Sequence, residues 1–118
     1  IVSIGPLLAI PGIREALVQN RERVVAVSPI IAGLALKGPA ARMLYELGHQ
    51  PSALGVAALY QSFSSALLID TADKHLSTKI SNLEIKAVVA NTVMSDISKA
   101  AQVALSAINA INSPMTGA

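Results

Sequence analysis

The segment VVAVSPIIAGLALKGPAARML, from Val24 to Leu44, is the most informative part of this chain. Its first four residues form an apolar run typical of a buried strand, and the ARMLYELG that follows the loop has helical spacing. The loop between them, Ser28 to Ala40, contains two glycines, two prolines and one lysine. The sequence therefore predicts a strand, a long loop and a helix that opens at Lys37-Gly38-Pro39.

Two interpretations of this loop stay open. Backbone amides at a helix start attract anions, and the Lys37 ammonium adds a full charge, so the loop is suited to a phosphorylated ligand. The alternative is an ordinary loop with Pro39 at the first helical position. A Walker consensus is not present, because the lysine precedes its glycine and no Ser or Thr follows it.

Two further apolar runs, Ala66 to Ile69 and Ile85 to Val89, predict strands that are buried on both faces. Helical patterns lie between and after the strands, and such alternation is typical of a parallel α/β sheet. The predicted helices are one after Pro11-Gly12, one around Met43 to Leu47, one from Leu54 to Phe63, one from Ala72 to Leu83, and a last one. Ser3, Gly5 and Pro6 predict a loop before the first of them.

The last helix has the clearest pattern, and Ser95 or Asp96 can cap its start. Apolar residues recur on one face at spacings of three and four. They are Ile97, Ala100, Ala101, Ala104, Leu105, Ile108 and Ile111.

The composition predicts one α/β domain of 118 residues, 53% hydrophobic and 14% charged. The uncharged stretch from Gln50 to Ile69 is interrupted by polar residues, which argues against a membrane span. A net charge of +2 without a basic block argues against a nucleic-acid partner. The absence of cysteine excludes disulfides and is compatible with the cytoplasm.

Polar residues follow each predicted strand, at Ser28, Asp70 and Asn91. Because parallel sheets bind ligands beyond the carboxyl ends of their strands, these residues are candidates to line one crevice. Asp70 and Asp73 could share a hard cation through waters. The alternative, which we prefer for each, is a helix cap or turn former.

Three stretches of the sequence together indicate more about function than the chemistry of their single residues does. SIGPLLAIPGIREAL from Ser3, VVAVSPIIAGLALKGPAARML from Val24 and PSALGVAALY from Pro51 resemble the 2-phospho-L-lactate transferase family in order and spacing. LLIDTADKHL followed by AVVANTVMSD is similar to the family's later strand, helix and strand. The resemblance implies a Rossmann-like fold, a homodimer and a cytoplasmic enzyme of coenzyme F-420 biosynthesis.

The activity implied by the resemblance is a transfer that requires Mg²⁺. A phospholactyl or phosphoenolpyruvyl group passes from a guanosine diphosphate conjugate to the ribityl hydroxyl of the deazaflavin Fo, and GMP is released. Attack of an alcohol on a diphosphate requires neutralisation of charge on the transferred phosphoryl group. The matching positions expected to line the substrate crevice are Ser3, Gly5, Ser28, Gly33, Lys37 and Gly38; catalytic residues and metal ligands are not assigned.

The resemblance covers only the family's carboxyl-terminal half. The family's glycine-rich nucleotide loop has no counterpart here, and the chain opens on Ile1 without a methionine. We therefore expect residues 1–118 to be the carboxyl-terminal part of a single transferase domain, inactive by itself. The family often has a glycine pair and a basic residue where this chain reads Ala32-Gly33-Leu34, and an acidic residue where Ala41 stands.

Two other functions compete with the enzyme. One is a regulatory protein of the related transferase-like group, which binds nucleotide-containing metabolites without the transfer. Proteins of that group usually lack the KGPA segment, so Lys37 to Ala40 favours the enzyme. The other is a structural subunit whose apolar helices pack on a partner.

Overall fold

A computed structural model of the chain describes residues 4–32, 34–35 and 40–112. Ser3, Gly33, Lys37 and Gly38 of the predicted crevice lie outside the described residues. The helices are α1 (Ile4–Leu8), α2 (Ile13–Gln19), α3 (Ala40–Glu46), α4 (Ala53–Tyr60), α5 (Ser77–Ser81) and α6 (Ile97–Asn112). The strands are β1 (Val25–Val27), β2 (Ile30–Ile31), β3 (Leu34–Ala35), β4 (Ala66–Asp70) and β5 (Lys86–Ala90), and 3-10 turns span Arg21–Arg23 and Thr71–Leu76.

The central sheet has three parallel strands in the order β1, β4, β5. Val25 pairs with Ala66, and Ala66 pairs with Lys86. Each predicted apolar run is therefore a strand, within one residue of its predicted start. The architecture is the Rossmann-like α/β arrangement, with β4 in the centre.

Strand β4 is buried along its whole length, and its residues alternate between two helical layers. Leu67 and Ile69 pack in the larger cluster, which includes residues of α3, α4 and α5. Ala66 and Leu68 pack instead with Val103 of α6. This two-sided burial explains why the strand is a continuous apolar run rather than an alternating one.

The predicted long loop after β1 contains a short antiparallel hairpin, which corrects the prediction. Ile30 pairs with Ala35, and Ile31 pairs with Leu34. Ala32 adopts a φ of 52°, in the left-handed region that a tight turn requires. The hairpin is anchored because Ile30 is completely buried in the larger cluster.

Two other elements differ from prediction. The residues around Gly5 and Pro6 form helix α1 rather than a loop, because a proline in the first helical turn has no N–H that must be paired. The helix predicted over Ala72 to Leu83 begins as a 3-10 turn, and regular helix starts only at Ser77. The Ser77 hydroxyl donates to the Lys74 carbonyl at 2.7 Å, where the two segments join.

The amino edge of the sheet is held by Arg21. Its Nε donates to the carbonyl of Gln61 at 2.9 Å, and its Nη2 donates to that of Glu84 at 2.7 Å. One guanidinium thereby joins the turns that precede β4 and β5.

Helix α6 begins as predicted, since Asp96 Oδ1 accepts a hydrogen bond from the Lys99 backbone at 2.8 Å. The predicted apolar stripe, however, mostly faces away from the sheet. Ile97 is 90% exposed, Leu105 57% and Ile108 55%. The face toward the sheet is made of other residues, Val103, Ala107 and Ala110. Within the described residues, the search for a helix long and apolar enough to cross a membrane found none.

Candidate functional site at the carboxyl edge of the sheet

The carboxyl end of the central strand carries Asp70, a buried acid with several hydrogen-bond partners. Oδ2 accepts from the Ala72 backbone at 3.1 Å, and so caps the 3-10 turn, and from the Thr71 hydroxyl at 3.4 Å. Oδ1 accepts from the backbone N–H and the hydroxyl of Thr92, which follows β5. The preferred interpretation of Asp70 as a cap is confirmed, and it also joins two neighbouring strand ends.

These contacts determine the charge state of Asp70. Burial raises the pKa of its carboxyl, but the hydrogen bonds from the Ala72 and Thr92 backbones and from the Thr92 and Thr71 hydroxyls outweigh burial. The pKa therefore lies below its usual value, and Asp70 is ionised at neutral pH.

Asp73, one turn later, is 2% exposed. Both of its carboxylate oxygens lie 3.1 Å from the backbone nitrogen of Ala32, in the turn of the β2–β3 hairpin. The segment from Asp70 to Asp73 therefore makes hydrogen bonds on both sides of the central strand. Asp70 binds the loop after β5, and Asp73 binds the hairpin after β1.

Ser28 lies at the same edge and is buried. Its backbone N–H donates to the Leu68 carbonyl at 2.9 Å, which extends the pairing of β1 with β4. Its hydroxyl lies 3.2 Å from both the nitrogen and the carbonyl oxygen of Ile30. The side chain therefore shapes the entry into the hairpin, and its role toward a substrate stays a prediction.

Gly5 lies elsewhere, in helix α1. It lines a cavity of about 120 Å³ with Leu8, Arg14, Leu47, Leu59 and Tyr60. Burial raises the pKa of the Tyr60 hydroxyl, so this side chain is neutral. The Arg14 guanidinium lies 5.5 Å from the centre of the Phe63 ring, as in a cation–π contact.

Of the six predicted crevice residues, the structure describes two, Gly5 and Ser28. Gly5 lies in helix α1, and Ser28 follows strand β1.

The carboxyl edge does not fit a magnesium ion within the described residues. All four carboxylate oxygens of Asp70 and Asp73 already accept hydrogen bonds from the chain. A search of the same residues for clusters of three or more metal-ligating side chains found none. Each oxygen of Asp70 accepts two hydrogen bonds, which uses its lone pairs, and Asp73 is only 2% exposed, so neither offers Mg²⁺ an open carboxylate and we derive no step through a metal at this edge.

The contacts of Asp73 and Thr92 are what sequence reasoning missed. The sequence predicts Asp73 as a cap or a cation ligand and Asn91 as a crevice residue or turn former, but it indicates neither of these contacts. The one available signal for the hairpin turn was the small pair Ala32-Gly33 between two apolar dipeptides.

Comparison with known proteins gives a consistent family. The model of the family "2-phospho-L-lactate transferase CofD" matches residues 1–113. The 2-phospho-L-lactate transferase of Methanosarcina acetivorans is 36% identical over 104 residues, 88% of this chain and 33% of that protein. The enzyme of that name from Halobacterium salinarum is 47% identical over 73 residues, 62% of this chain and 21% of its own length.

A relative with a different name matches equally well. The phosphoenolpyruvate transferase of Kitasatospora aureofaciens is 36% identical over 109 residues, 92% of this chain and 34% of that protein. The chain spans about a third of the length of the Methanosarcina acetivorans and Kitasatospora aureofaciens proteins. The match of the family model over residues 1–113, with these relatives, shows that the chain belongs to the 2-phospho-L-lactate transferase family.

Proposed function

We propose that the protein containing this chain is a transferase of coenzyme F-420 biosynthesis. It moves a 2-phospholactyl or phosphoenolpyruvyl group from a guanosine diphosphate conjugate to the deazaflavin Fo and releases GMP. The observation that carries the proposal is the family match over residues 1–113, nearly the whole chain. The same proposal includes a homodimer in the cytoplasm.

The carboxyl edge of the sheet is the region of this chain that binds the donor in the proposed reaction. Open α/β sheets bind ligands beyond the carboxyl ends of their strands. Here Asp70 and Asp73 brace that edge on both sides of β4. In the proposed reaction, the segment containing Gly33, Lys37 and Gly38 binds the donor's phosphates, and the Lys37 ammonium neutralises charge that develops during transfer. Ser3, Gly5 and Ser28 complete the proposed substrate contacts.

The proposal includes Mg²⁺, whose ligands we place outside the described residues because Asp70 and Asp73 are committed to the fold. The choice of donor stays open between phospholactyl and phosphoenolpyruvyl. Relatives named for each are both 36% identical to the chain, so identity does not favour one.

The test uses the full-length polypeptide of the reading frame that contains this sequence. Its purified mass is first checked, and transfer from each guanosine conjugate to Fo is then followed by release of GMP. Binding of the conjugate without transfer to Fo would overturn the enzyme and favour the regulatory alternative.

Two lysine variants test the phosphate edge. We expect Lys37→Ala to lower kcat/KM for the donor by about tenfold or more, because a charge-assisted contact is lost. The matched control is Lys99→Ala, on the exposed face of α6, which should change kcat/KM by less than about twofold. Equal, negligible effects of both variants would contradict a phosphate contact by Lys37.

A further inference from the structure

The hairpin formed by β2 and β3 is small, with two residues in each strand. It leaves the carboxyl end of β1, at the sheet edge where the proposed function places the donor. Such a short antiparallel pair is not stable by itself in water, so its orientation depends on contacts with the rest of the fold. Ile30 supplies an apolar contact, and the polar contact is made by Asp73.

The contact between Asp73 and Ala32 is specific in its geometry. The carboxylate is 2% exposed, and both oxygens receive the same N–H at 3.1 Å. Ala32 is also the turn residue with a φ of 52°. A buried carboxylate is costly to desolvate, and an apolar side chain of similar size would fill the space at lower cost. We therefore interpret the buried Asp73 carboxylate, despite its desolvation cost, as the group that fixes one conformation of the hairpin turn.

We propose that Asp73 is a positioning residue for binding of the donor's diphosphate. It acts through the Ala32 N–H by fixing the hairpin, and it does not itself contact the substrate. The inference rests on the proposed function. Small displacements of a binding segment weaken binding, so a weaker hydrogen bond from Ala32 to residue 73 should lower the affinity for the diphosphate.

The test compares Asp73→Asn with Ile80→Val in the full-length protein. Asparagine keeps the size of the side chain but gives Ala32 one neutral acceptor oxygen instead of two charged ones, so the hydrogen bond is weakened rather than lost. Ile80 is fully buried in α5, and removal of its methyl group lowers stability while the acceptor of the Ala32 hydrogen bond is kept. Both variants are first shown to be folded by a cooperative unfolding transition.

Two measurements follow. Hydrogen exchange should show amides of residues 30–35 exchanging about tenfold faster in Asp73→Asn and unchanged in Ile80→Val. The dissociation constant for GDP, measured by calorimetry, should rise about tenfold in Asp73→Asn and less than about twofold in Ile80→Val. In a transfer assay, the KM for the donor should rise while kcat changes little, as expected for lost ground-state binding.

Equal GDP affinities in the two variants would overturn the inference, as would unchanged exchange in the hairpin. If Asp73→Asn does not fold, Asp73→Glu replaces it, because one extra methylene keeps the charge but displaces Ala32. Failure of the proposed function can be told apart from failure of this inference. A wild-type protein that binds GDP but transfers nothing to Fo contradicts the transferase activity, while the GDP affinities of the two variants can still be compared. A wild-type protein that does not bind GDP overturns the inference as well.

Discussion

Asp70 Oδ1 lies 3.0 Å from the backbone nitrogen of Thr92 and 3.2 Å from its hydroxyl oxygen, so one carboxylate oxygen receives both donors of a single residue. Asp70 ends β4, and Thr92 follows β5, its neighbour in the sheet. Both residues are buried. This pair therefore fixes the edge of the sheet independently of any ligand.

The hydroxyl of Thr92 should contribute measurably to stability. We expect Thr92→Val to lower the free energy of unfolding by about 1–2 kcal/mol, because a charge-assisted hydrogen bond is lost while the shape is kept. The change is measured by urea unfolding. Thr92→Ser, which keeps the hydroxyl, is the control, and a loss as large as that of valine would contradict the role assigned to the hydroxyl.

Asp70 should make stability depend on acid pH. Its pKa in the folded protein lies below the usual value of 3.8, so the unfolded chain takes up the proton first as the pH falls. The stabilisation is therefore complete well above that value and is lost as the pH falls through the lower folded pKa. Urea midpoints measured between pH 7 and pH 3 should fall less steeply in Asp70→Asn than in the wild type. Parallel profiles would contradict this contribution.

Two glycines should respond differently to alanine. A Cβ at Gly55 would collide with the carbonyl oxygen of Gln50, so Gly55→Ala should cost about 3 kcal/mol of folding free energy. At Gly5, in helix α1, a Cβ meets no atom within 4 Å outside its own helix and chain neighbours, but the following Pro6 disfavours a helical residue with a Cβ, so Gly5→Ala should change the folding free energy by less than about 1 kcal/mol. Thermal unfolding compares the two. If Gly5 also approaches the substrate, as proposed, Gly5→Ala lowers transfer activity while stability changes little.

The outer face of α6 should cause association of the 118-residue polypeptide. Leu105 and Ile108 are each more than half exposed on the same helix face. Exposed apolar patches promote self-association and dye binding. We expect light scattering to show oligomers and a hydrophobic dye to bind, both reduced in the double variant Leu105→Gln, Ile108→Gln. A monomer that binds no dye would contradict this expectation.

A control separates the outer face from the inner one. Val103→Gln replaces a buried residue that packs against the sheet, and it should lower the free energy of unfolding by about 2 kcal/mol or more. The outer double variant should change that free energy by less than about 1 kcal/mol. Equal losses would mean that the outer face also packs within the fold.

The strands were predictable because burial on both faces leaves a strong signal. Leu67 to Ile69 contact helices on either side, so the whole run is apolar and cannot be mistaken for an exposed strand. The capping roles of Asp70 and Asp96 were also among the predicted alternatives, because an acid just before a helical segment has few other local roles.

The features that the sequence did not predict depend on contacts between residues that are distant in sequence. The hairpin rests on Asp73 reaching Ala32, 41 residues away, and its two-residue strands are too short to show a period. In α6, the pattern identified an apolar stripe correctly but could not show what covers it. Alanines such as Ala110 allow that helix to approach the sheet with its less hydrophobic side.

The register of the central sheet has a consequence for the order of folding. Residue 25 of β1 pairs with residue 66, whereas residue 66 pairs with residue 86, so the first pairing closes a loop about twice as long. The longer closure costs about 0.6 kcal/mol more in chain entropy. We therefore expect β4 and β5 to form a nucleus that β1 joins later. On the ribosome, β1 emerges first and must wait for β4, so the strand that leads to the hairpin is synthesised early and gains its partner late.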